Sequence, residues 1–370
     1  MEKIAIDLLW LRPGKVGGTE SYIRNLLDGF AKTKEEFDFT LLVSLDNADS
    51  FKQYEKDPRY HLLVADIYSA NIAKRILWQN LFQNRLLRKH GFDKCFEPVY
   101  CKPWLNGGIQ YTCVIHDLQA YHYPEYHPFH EVAYSRLCWR MDVMNAARII
   151  AISHWVKEDI EQKYHRSDIE VIYNPILVQK HDTEDFAVLA KRYKIAQKQF
   201  FYTVSQLIPH KNIKTMIRLM ERIICGSHNL PRKLVISGVN GNAAAEVQNE
   251  IESLGLQDVV TLTGYISDRE RNALYQNCHT FLFPSVFEGF GMPPVEAMLF
   301  RSRVVTTRCA SIPEVTQDMA VYVEDPFSVE EWIEKIEEGH MAGIPDFERY
   351  APEVIAGQYL AFLKEPIWKK

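Results

Sequence analysis

The sequence lacks the patterns that mark several common classes of protein. No run of apolar residues approaches the ~18 residues that a membrane-spanning helix needs. The seven cysteines are scattered and form no C-x-x-C pair, which favours reduced, mostly buried thiols over a disulfide framework or a zinc site. Glu2 and Asp7 surround the first short apolar strand, which is not the pattern of a signal peptide. These absences predict a cytoplasmic protein.

An excess of one charge is also missing. The chain has 43 Lys and Arg against 48 Asp and Glu, a net charge of -5, which argues against non-specific nucleic-acid binding as its main role. No G-x-G-x-x-G occurs, so a nicotinamide dinucleotide site is disfavoured. His122, His127 and His130 lie close together but lack a ligand spacing with cysteines or carboxylates. The residues therefore predict neither a metal nor a cofactor.

What is present is an alternation of short apolar strands and helical stretches, in a chain of 370 residues that is long enough for two domains. The first half shows strands at 4–9, 39–43, 111–115, 148–152 and 169–173, with a helix at 21–30. The second half shows strands at 201–204, 233–237, 259–262, 281–283 and 303–307, and helices at 186–193, 213–225, 243–254, 269–277 and 295–300. This predicts an α/β protein with two parallel sheets that bind ligand at the carboxyl ends of their strands.

The most informative segment is residues 281–296. A strand leads into a loop with Gly289 and Gly291, and a helix then opens on two prolines, which suit a first helical turn. A strand, glycine loop and helix aim free backbone N–H groups and a positive dipole end at an anion, typically a phosphate. Glu288 and Glu296 flank the loop with seven residues between them. Phosphate donors between two carboxylates suggest a ligand that is part phosphate and part polyol, namely a nucleotide sugar.

The segment resembles the E-x7-E signature of the retaining glycosyltransferases of family 4. The likeness continues through residues 264–268, 273–275 and 311–315. The resemblance implies the GT-B fold: two Rossmann-like domains facing each other across a deep cleft, with a C-terminal helix that crosses back to the first. It also implies transfer, with retention, of a sugar such as mannose or rhamnose from a nucleotide-diphosphate donor. The acceptor would be a glycan or a lipid-linked glycan of cell-surface polysaccharide biosynthesis.

The same resemblance predicts the domains. A polar, irregular run around Asn174 marks the junction. We therefore expect an acceptor-binding domain over 1–180, a nucleotide-sugar domain over 181–345, and a final segment, 346–370, that returns to the first domain. A helix at 353–363 is the candidate for that return.

Three residues are assigned to catalysis. Lys211 follows the strand 201–204, where a fixed cation could neutralise a diphosphate leaving group. His116 follows the strand 111–115, at the carboxyl end where a residue would face a ligand; the family places there a histidine that contacts the donor sugar. Glu288 is expected against the sugar and Glu296 at the ribose hydroxyls.

The remaining donor-binding predictions are mostly backbone groups. They comprise Gly17, Gly18, Gln206, His210, Lys211, Gly289, Phe290, Gly291, Met292 and Glu296. No D-x-D motif is present to hold a divalent ion, so Lys211 and the helix N-terminal amides would replace the metal. Ser153 and Asn174 also match family positions, where they could simply shape the site.

The sequence departs from the family at two places. Gln206 stands where the family has an arginine, and His210 where a subgroup has one. Only Lys211 therefore remains as a definite cation, and either a protonated His210 supplies the second charge or the site works with less. After the second glutamate, Arg301 and Arg303 replace the usual glycine and proline; we expect a solvated loop there, with an additional anion contact as the alternative.

Residues 71–90 carry five Lys or Arg and no acid. Ile72, Ile76, Leu77, Leu81 and Phe82 form an apolar face, with Trp78 beside it. An ordinary helix packed on the first sheet is the favoured interpretation. The alternative is a basic amphipathic helix that lies on an anionic membrane and brings the enzyme to a lipid-linked acceptor.

Three other functions remain open. A sugar-nucleotide epimerase would share the fold and convert the donor without an acceptor. A non-catalytic subunit would bind nucleotide sugar without turnover, and Gln206 is the residue that raises this possibility. A nicotinamide oxidoreductase fits the alternation but not the missing glycine fingerprint.

Overall fold

The computed structural model describes residues 3–100, 102–177 and 181–365. The chain forms two compact units. The first combines the residues up to 177 with those from 348 onward, and the second spans residues 178–347. Each unit is built around one parallel sheet, which confirms the prediction of two α/β halves.

The first unit has a seven-stranded sheet in the order β3-β2-β1-β4-β5-β6-β7. Its strands are β1 (Lys3–Asp7), β2 (Asp38–Ser44), β3 (Tyr60–Ala65), β4 (Lys94–Glu97), β5 (Gln110–Ile115), β6 (Arg148–Ala151) and β7 (Ile169–Val171). All adjacent pairs are parallel, and β1 pairs with both β2 and β4. The strand order therefore reverses at β1, the place where open α/β sheets usually bind ligands.

Helices connect these strands. They are α1 (Gly18–Lys32), α2 (Ile72–Trp78), α3 (Asn84–Lys89), α4 (Gln119–His122), α5 (Phe129–Asn145) and α6 (His154–Tyr164). A π-helical turn, Gln79–Gln83, joins α2 to α3, and 3-10 turns lie at Ala48–Lys56 and Pro124–Tyr126. Ser153 caps α6, since its Oγ accepts a hydrogen bond from the backbone N–H of Val156.

The second unit has a six-stranded parallel sheet in the order β10-β9-β8-β11-β12-β13. The strands are β8 (Phe201–Val204), β9 (Leu234–Ser237), β10 (Val260–Gly264), β11 (Thr280–Phe283), β12 (Val304–Thr307) and β13 (Val321–Val323). The helices are α7 (Phe186–Tyr193), α8 (Ile213–Cys225), α9 (Ala244–Ser253), α10 (Asp268–Asn277), α11 (Met292–Leu299), α12 (Ile312–Val315) and α13 (Val329–Glu338), with a 3-10 turn at Pro209–Lys211.

Successive residues of β8 serve opposite cores. Phe201 packs with α8 and α13 around Trp332, whereas Tyr202 packs on the other side with Tyr275 and Phe281. Both faces of a parallel sheet covered by helices are buried, which explains why these strands are continuous apolar runs in the sequence.

The last helix, α14 (Pro352–Lys364), belongs to the first unit and packs on α1. The hydroxyls of Tyr22 and Tyr359 share a hydrogen bond of 2.8 Å between the two helices. A Cβ added to Gly29 would overlap the carbonyl oxygen of Pro352. The backbones of α1 and α14 therefore approach so closely at this point that only glycine fits. The predicted C-terminal helix and its return to the first domain are thereby confirmed.

The structure corrects the interpretation of Arg303. Its guanidinium donates to the carbonyl oxygens of Lys335 (2.9 Å), Ile336 and Gly339 and so caps the C-terminus of α13. Cations are favoured there by the helix dipole. Arg303 is therefore a structural cap and neither part of a solvated loop nor an anion contact. Arg301 is exposed, with φ of 58°.

The apolar face predicted within residues 71–90 does not face the sheet. Gln79 and Gln83 are buried, while Leu77 and Leu81 are each 60% exposed. The residue that determines this orientation is Asp7, whose Oδ2 accepts hydrogen bonds from both glutamines (3.1 and 2.7 Å). The segment thus packs on the sheet through its polar side up to Gln83, and through Leu87 beyond it. None of the helices in the described ranges combines the length and apolar character needed to cross a bilayer.

The contact between α1 and α14 yields a matched pair of variants. Gly29→Ala should destabilise the protein by about 1–3 kcal/mol, because the added methyl overlaps backbone. Gly357→Ala, in α14 with nothing within 4 Å of the new Cβ, should instead be neutral or stabilise by about 0.5–1 kcal/mol. Urea denaturation of both variants measures the change in the free energy of unfolding. Equal changes would contradict the close approach of Gly29 to the backbone of Pro352.

Candidate active site

The candidate site of the second unit begins in the loop after β8. The chain passes through Gln206, which is exposed, and enters the 3-10 turn that ends at Lys211. Gly238, at the end of β9, has φ of 137° and no room for a Cβ against the carbonyl oxygen of Ser205. The close approach of these two backbones fixes where the β8 loop leaves the sheet.

A second loop, after β11, is tied to the first through one carbonyl group. The carbonyl oxygen of His210 accepts a hydrogen bond from the backbone N–H of Val286 (2.9 Å). The Ser285 hydroxyl shares its one hydrogen between this oxygen (3.3 Å) and the carbonyl oxygen of Phe287 (3.1 Å). Ser311 holds the far side of the loop, because its hydroxyl hydrogen is shared between the carbonyl oxygens of Glu288 (2.9 Å) and Phe290 (3.0 Å). The segment 285–290 is therefore anchored at both ends.

These ties bring Lys211 and Glu288 together. Lys211 Nζ lies 2.5 Å from Glu288 Oε1, and the two side chains are 17% and 13% exposed. A half-buried ion pair is screened less than a surface pair. An ammonium has three donors, so Lys211 can keep this carboxylate and still bind an anionic oxygen on another side.

The glycine loop ends where α11 begins. Gly291 is the N-cap of that helix with φ of 89°, in the left-handed region that favours glycine, and two prolines follow in the first turn. Pro293 and Pro294 have no N–H, so the donors at the positive end of this helix dipole are the N–H groups of the glycine loop and of Met292. Gly289, Phe290 and Met292 belong to the same turn of chain, so the predicted backbone donors are neighbours.

Glu296 lies one turn into α11 and faces α10. Its Oε2 accepts a hydrogen bond from the Tyr275 hydroxyl (3.1 Å) and lies 3.6 Å from Arg271 Nε. The charge of Glu296 raises the pKa of Arg271. Arg271 also pairs with Asp268, at 3.0 Å.

Arg271 and Tyr275 were not predicted as site residues. They are four residues apart on α10 and therefore share one helix face. That spacing was visible in the sequence, and Tyr275 lies within the family-like segment 273–275. Nothing in the sequence, however, indicated that this face turns toward Glu296.

The first unit contains the other predicted residues. Gly17 has φ of 62° and is the N-cap of α1, with Gly18 as the first helical residue. Tyr22, one turn further along α1, packs edge-on against the ring of His116 at a centroid distance of 4.8 Å. His116 thus contacts α1 one turn after the glycine loop.

His116 follows β5 directly and is only 8% exposed. Its Nε2 lies 2.7 Å from the carbonyl oxygen of Pro98. A carbonyl can only accept, so Nε2 carries the hydrogen and, in the neutral ring, Nδ1 is left as an acceptor. Burial lowers the pKa of His116 to about 4. The imidazole is therefore neutral at pH 7.

Within the parts of the chain that the structure describes, no three His, Cys, Asp or Glu side chains are grouped as a metal site would require. His122 instead bonds to Asp159, at 2.8 Å, and His127 to Gln119, at 3.3 Å.

Two family models match the chain. One, described as glycosyl transferases group 1, matches residues 186–339, and the other, described as glycosyltransferase family 4, matches residues 16–180. The first match lies in the second unit and contains Lys211, Glu288 and Glu296; the second lies mainly in the first unit and contains His116.

Curated relatives are similar over part of their length. The O-antigen chain mannosyltransferase RfbU of Salmonella typhimurium is 30% identical over 231 residues, 61% of each chain. The O-antigen chain mannosyltransferase B of Escherichia coli is 26% identical over 220 residues, 58% of this chain and 57% of that protein. The chain thus spans about six tenths of these relatives.

Solved structures resemble the chain over nearly its whole length. HepE from Anabaena, in complex with UDP, has a TM-score of 0.72 at 18% identity, covering 98% of this chain and 99% of that one. Sucrose-phosphate synthase from Thermosynechococcus elongatus has a TM-score of 0.76 at 15% identity, covering 98% of each. At these identities the likeness concerns the fold, and it confirms the predicted GT-B fold.

The pKa of His116 gives a prediction about stability. A pKa lowered to about 4 from the ordinary value near 6.5 means that the folded state resists protonation. The contribution of His116 to the free energy of unfolding is full above pH 6.5 and is lost as the pH falls toward 4. At pH 5 the loss is about 2 kcal/mol. Urea denaturation at pH 7 and pH 5 measures it for wild type, His116→Gln and, as a control, the exposed His90→Gln.

Between pH 7 and pH 5, the free energy of unfolding of His116→Gln should fall by about 2 kcal/mol less than that of wild type. The fall for His90→Gln should equal that of wild type. An unchanged pH dependence in His116→Gln would contradict the neutral, buried imidazole.

Proposed function

Because the chain belongs to the group 1 glycosyltransferases of family 4, we propose that it transfers a sugar from a nucleotide-diphosphate donor to a hydroxyl of a glycan or lipid-linked glycan. The observation that carries the proposal is the pairing of Lys211 with Glu288 beside the N-terminus of α11. One cation, one carboxylate and a row of backbone donors are the groups that a sugar diphosphate requires.

Polysaccharide assembly is the proposed setting. Two relatives are named O-antigen chain mannosyltransferases, which supports a role in cell-surface polysaccharide biosynthesis and favours mannose over rhamnose as the sugar. HepE was solved with UDP and with UDP-glucose, which supports a nucleotide sugar as the donor but leaves the base open.

In the proposed reaction, the bond between the anomeric carbon and the diphosphate oxygen breaks while a bond to the acceptor oxygen forms on the same face. The acceptor proton passes to the departing phosphate, so Glu288 is not required as a nucleophile. Lys211 and the amides near Gly291 would stabilise the charge that develops on the diphosphate. Because Lys211 can donate to both groups, it would orient Glu288 toward the sugar hydroxyls while binding phosphate.

Glu296 is proposed to bind the ribose hydroxyls. Tyr275 and Arg271 hold its carboxylate from one side, so its orientation is fixed before a ligand arrives. This arrangement favours a role for Glu296 as a hydrogen-bond acceptor over a role in proton transfer. We propose Arg271 and Tyr275 as positioning residues of the nucleoside site.

His116 is proposed to accept a hydrogen bond from a sugar hydroxyl through Nδ1. A neutral imidazole suits this role, because it adds no positive charge near the anomeric carbon as the diphosphate departs. Gly17 and Gly18 would let backbone approach phosphate or acceptor. In the same proposal residues 1–180 bind the acceptor, residues 181–345 bind the donor and residues 346–370 return to the first domain.

One observation favours a second candidate, a non-catalytic nucleotide-sugar-binding subunit. Gln206 is exposed and neutral where the family has an arginine, and His210 is buried, with its carbonyl group used by the neighbouring loop. The two candidates differ in turnover and not in binding. An epimerase of the same fold would convert the donor alone.

A panel of UDP-, GDP- and dTDP-sugars in a thermal-shift assay tests donor binding. The correct donor, at about a hundred times its Kd, should stabilise wild type by about 2.7 kcal/mol. Glu296→Ala should lose this shift, whereas Glu252→Ala, an exposed carboxylate on α9, should keep it. No shift with any donor would contradict the proposed site.

Once the panel has identified a donor that binds, the release of nucleoside diphosphate from it distinguishes a transferase from an epimerase and from a non-catalytic subunit. A transferase should release it faster when acceptor glycan is added, whereas an epimerase converts the donor without any acceptor. Binding with neither conversion nor release would identify a non-catalytic subunit.

A further inference from the structure

The segment that comprises α2, the π-helical turn and α3 turns polar side chains inward along most of its length, and Leu87 near its end is the one fully buried leucine. Arg75, Gln79 and Gln83 are 9%, 2% and 0% exposed, whereas Leu77 and Leu81 are both 60% exposed. An ordinary surface helix shows the opposite arrangement, with its apolar stripe toward the core. Two things need an explanation: why polar side chains are buried on the inner side, and what the exposed leucines on the outer side contact.

The cause is a layer of buried carboxyl groups at the ends of β1 and β4. Gln83 Nε2 donates to Asp7 Oδ2 (2.7 Å) and to Glu97 Oε1 (3.2 Å), and Gln79 adds a bond to Asp7. Burial raises the pKa of Asp7 and that of Glu97. Turning the apolar side inward would leave these carboxyls without the glutamine donors, at a large desolvation cost. The outward direction of the leucines is therefore fixed by the fold.

Two further segments continue the same surface. The loop after β4 carries Trp104 and Leu105, 38% and 76% exposed. It is bound to the helix at both residues: Asn80 Oδ1 accepts from the backbone N–H of Trp104 (2.9 Å), and Asn84 Nδ2 donates to the carbonyl oxygen of Leu105 (2.6 Å).

The next residue of that loop reaches α5. Asn106 Nδ2 donates to the carbonyl oxygen of Asn145 (2.6 Å), beside Met144, which is 60% exposed. Three segments thus present exposed apolar side chains together. We call this surface the outer apolar face; its members are Leu77, Leu81, Phe82, Trp104, Leu105 and Met144.

The charges around the face point to its partner. Lys74, Arg85, Arg88 and Lys89 are all exposed, and residues 71–90 contain no acid. Lys74 precedes Leu77 by one turn and Arg85 follows Leu81 by one turn, so cations stand at both ends of the leucine stripe. Leucine, phenylalanine and tryptophan flanked by basic residues fit the interface of an anionic bilayer.

We propose that the outer apolar face docks the protein on an anionic lipid bilayer, with residues 72–89 lying in the plane of the interface. Large exposed apolar patches on a protein commonly mark such contacts. The face uses no residue of the proposed donor site, so the proposal stands or falls independently of the transferase activity.

Vesicle flotation of the full chain tests the proposal, with vesicles of phosphatidylcholine alone and of phosphatidylcholine mixed with phosphatidylglycerol. The apolar variant is Leu77→Ser/Leu81→Ser/Leu105→Ser, and the charge variant is Lys74→Gln/Arg85→Gln/Arg88→Gln. The control is Tyr265→Ser/Phe327→Ser, which removes two side chains of the second unit that are 77% and 60% exposed. All these positions are exposed, so circular dichroism and thermal unfolding should match wild type.

Wild type and the control should float with the anionic vesicles. The charge variant should lose roughly fivefold in partition for each cation removed at low salt, and the apolar variant about tenfold or more at any salt concentration. Wild type that stays at the bottom of the gradient, or an apolar variant that floats like wild type, would overturn the proposal. So would a dimer that the apolar variant converts to monomer without any vesicle binding, because the occupant would then be a second copy.

Discussion

The carbonyl oxygen of His210 is the point on which the candidate donor site depends. It accepts hydrogen bonds from both the backbone and the hydroxyl of the 285–286 segment, and so joins the loops that leave the adjacent strands β8 and β11. Lys211, one residue further, is thereby held against Glu288. Parallel strands bring such loops to one edge of a sheet. The single tie then determines which side chains meet there.

A different constraint shapes the first unit. Carboxyl groups at the ends of β1 and β4 are buried, and the glutamines of the 79–83 turn satisfy them. Leaving these buried carboxyls without donors would carry a large desolvation cost, so the layer dictates the orientation of the whole segment above it. Outward apolar side chains are the consequence. The inner chemistry of this unit and the proposed bilayer contact are thus two sides of one helical segment.

Much of the fold could be predicted from the sequence, with element ends that differ by at most three residues for the predicted strands and helices. The strands β3, β4 and β13 were not predicted. β4 (Lys94–Glu97) has charged residues at both its ends, although all four of its residues are buried. The face through which residues 71–90 pack on the sheet was predicted wrongly for a different reason. Periodicity shows which residues share a helix face, but it does not show that buried carboxyl groups will hold the polar face against the sheet. Arg303 was misjudged because its partners are carbonyl groups at the end of α13, which sequence patterns do not encode. Lys211 and Glu288 were foreseen as site residues, but their direct pairing depends on loop contacts that no spacing rule contains.

The most direct test of the account is a double-mutant cycle on the affinity for the nucleoside diphosphate, measured by calorimetry for wild type, Lys211→Ala, Glu288→Gln and the double variant. If Lys211 binds the diphosphate while paired with Glu288, Lys211→Ala weakens binding. The effect of Glu288→Gln on the affinity then depends on whether Lys211 is present, with a coupling energy of about 0.5–3 kcal/mol. Affinities that are unchanged by Lys211→Ala, or that add with no coupling, would contradict the assignment of this pair to the donor site.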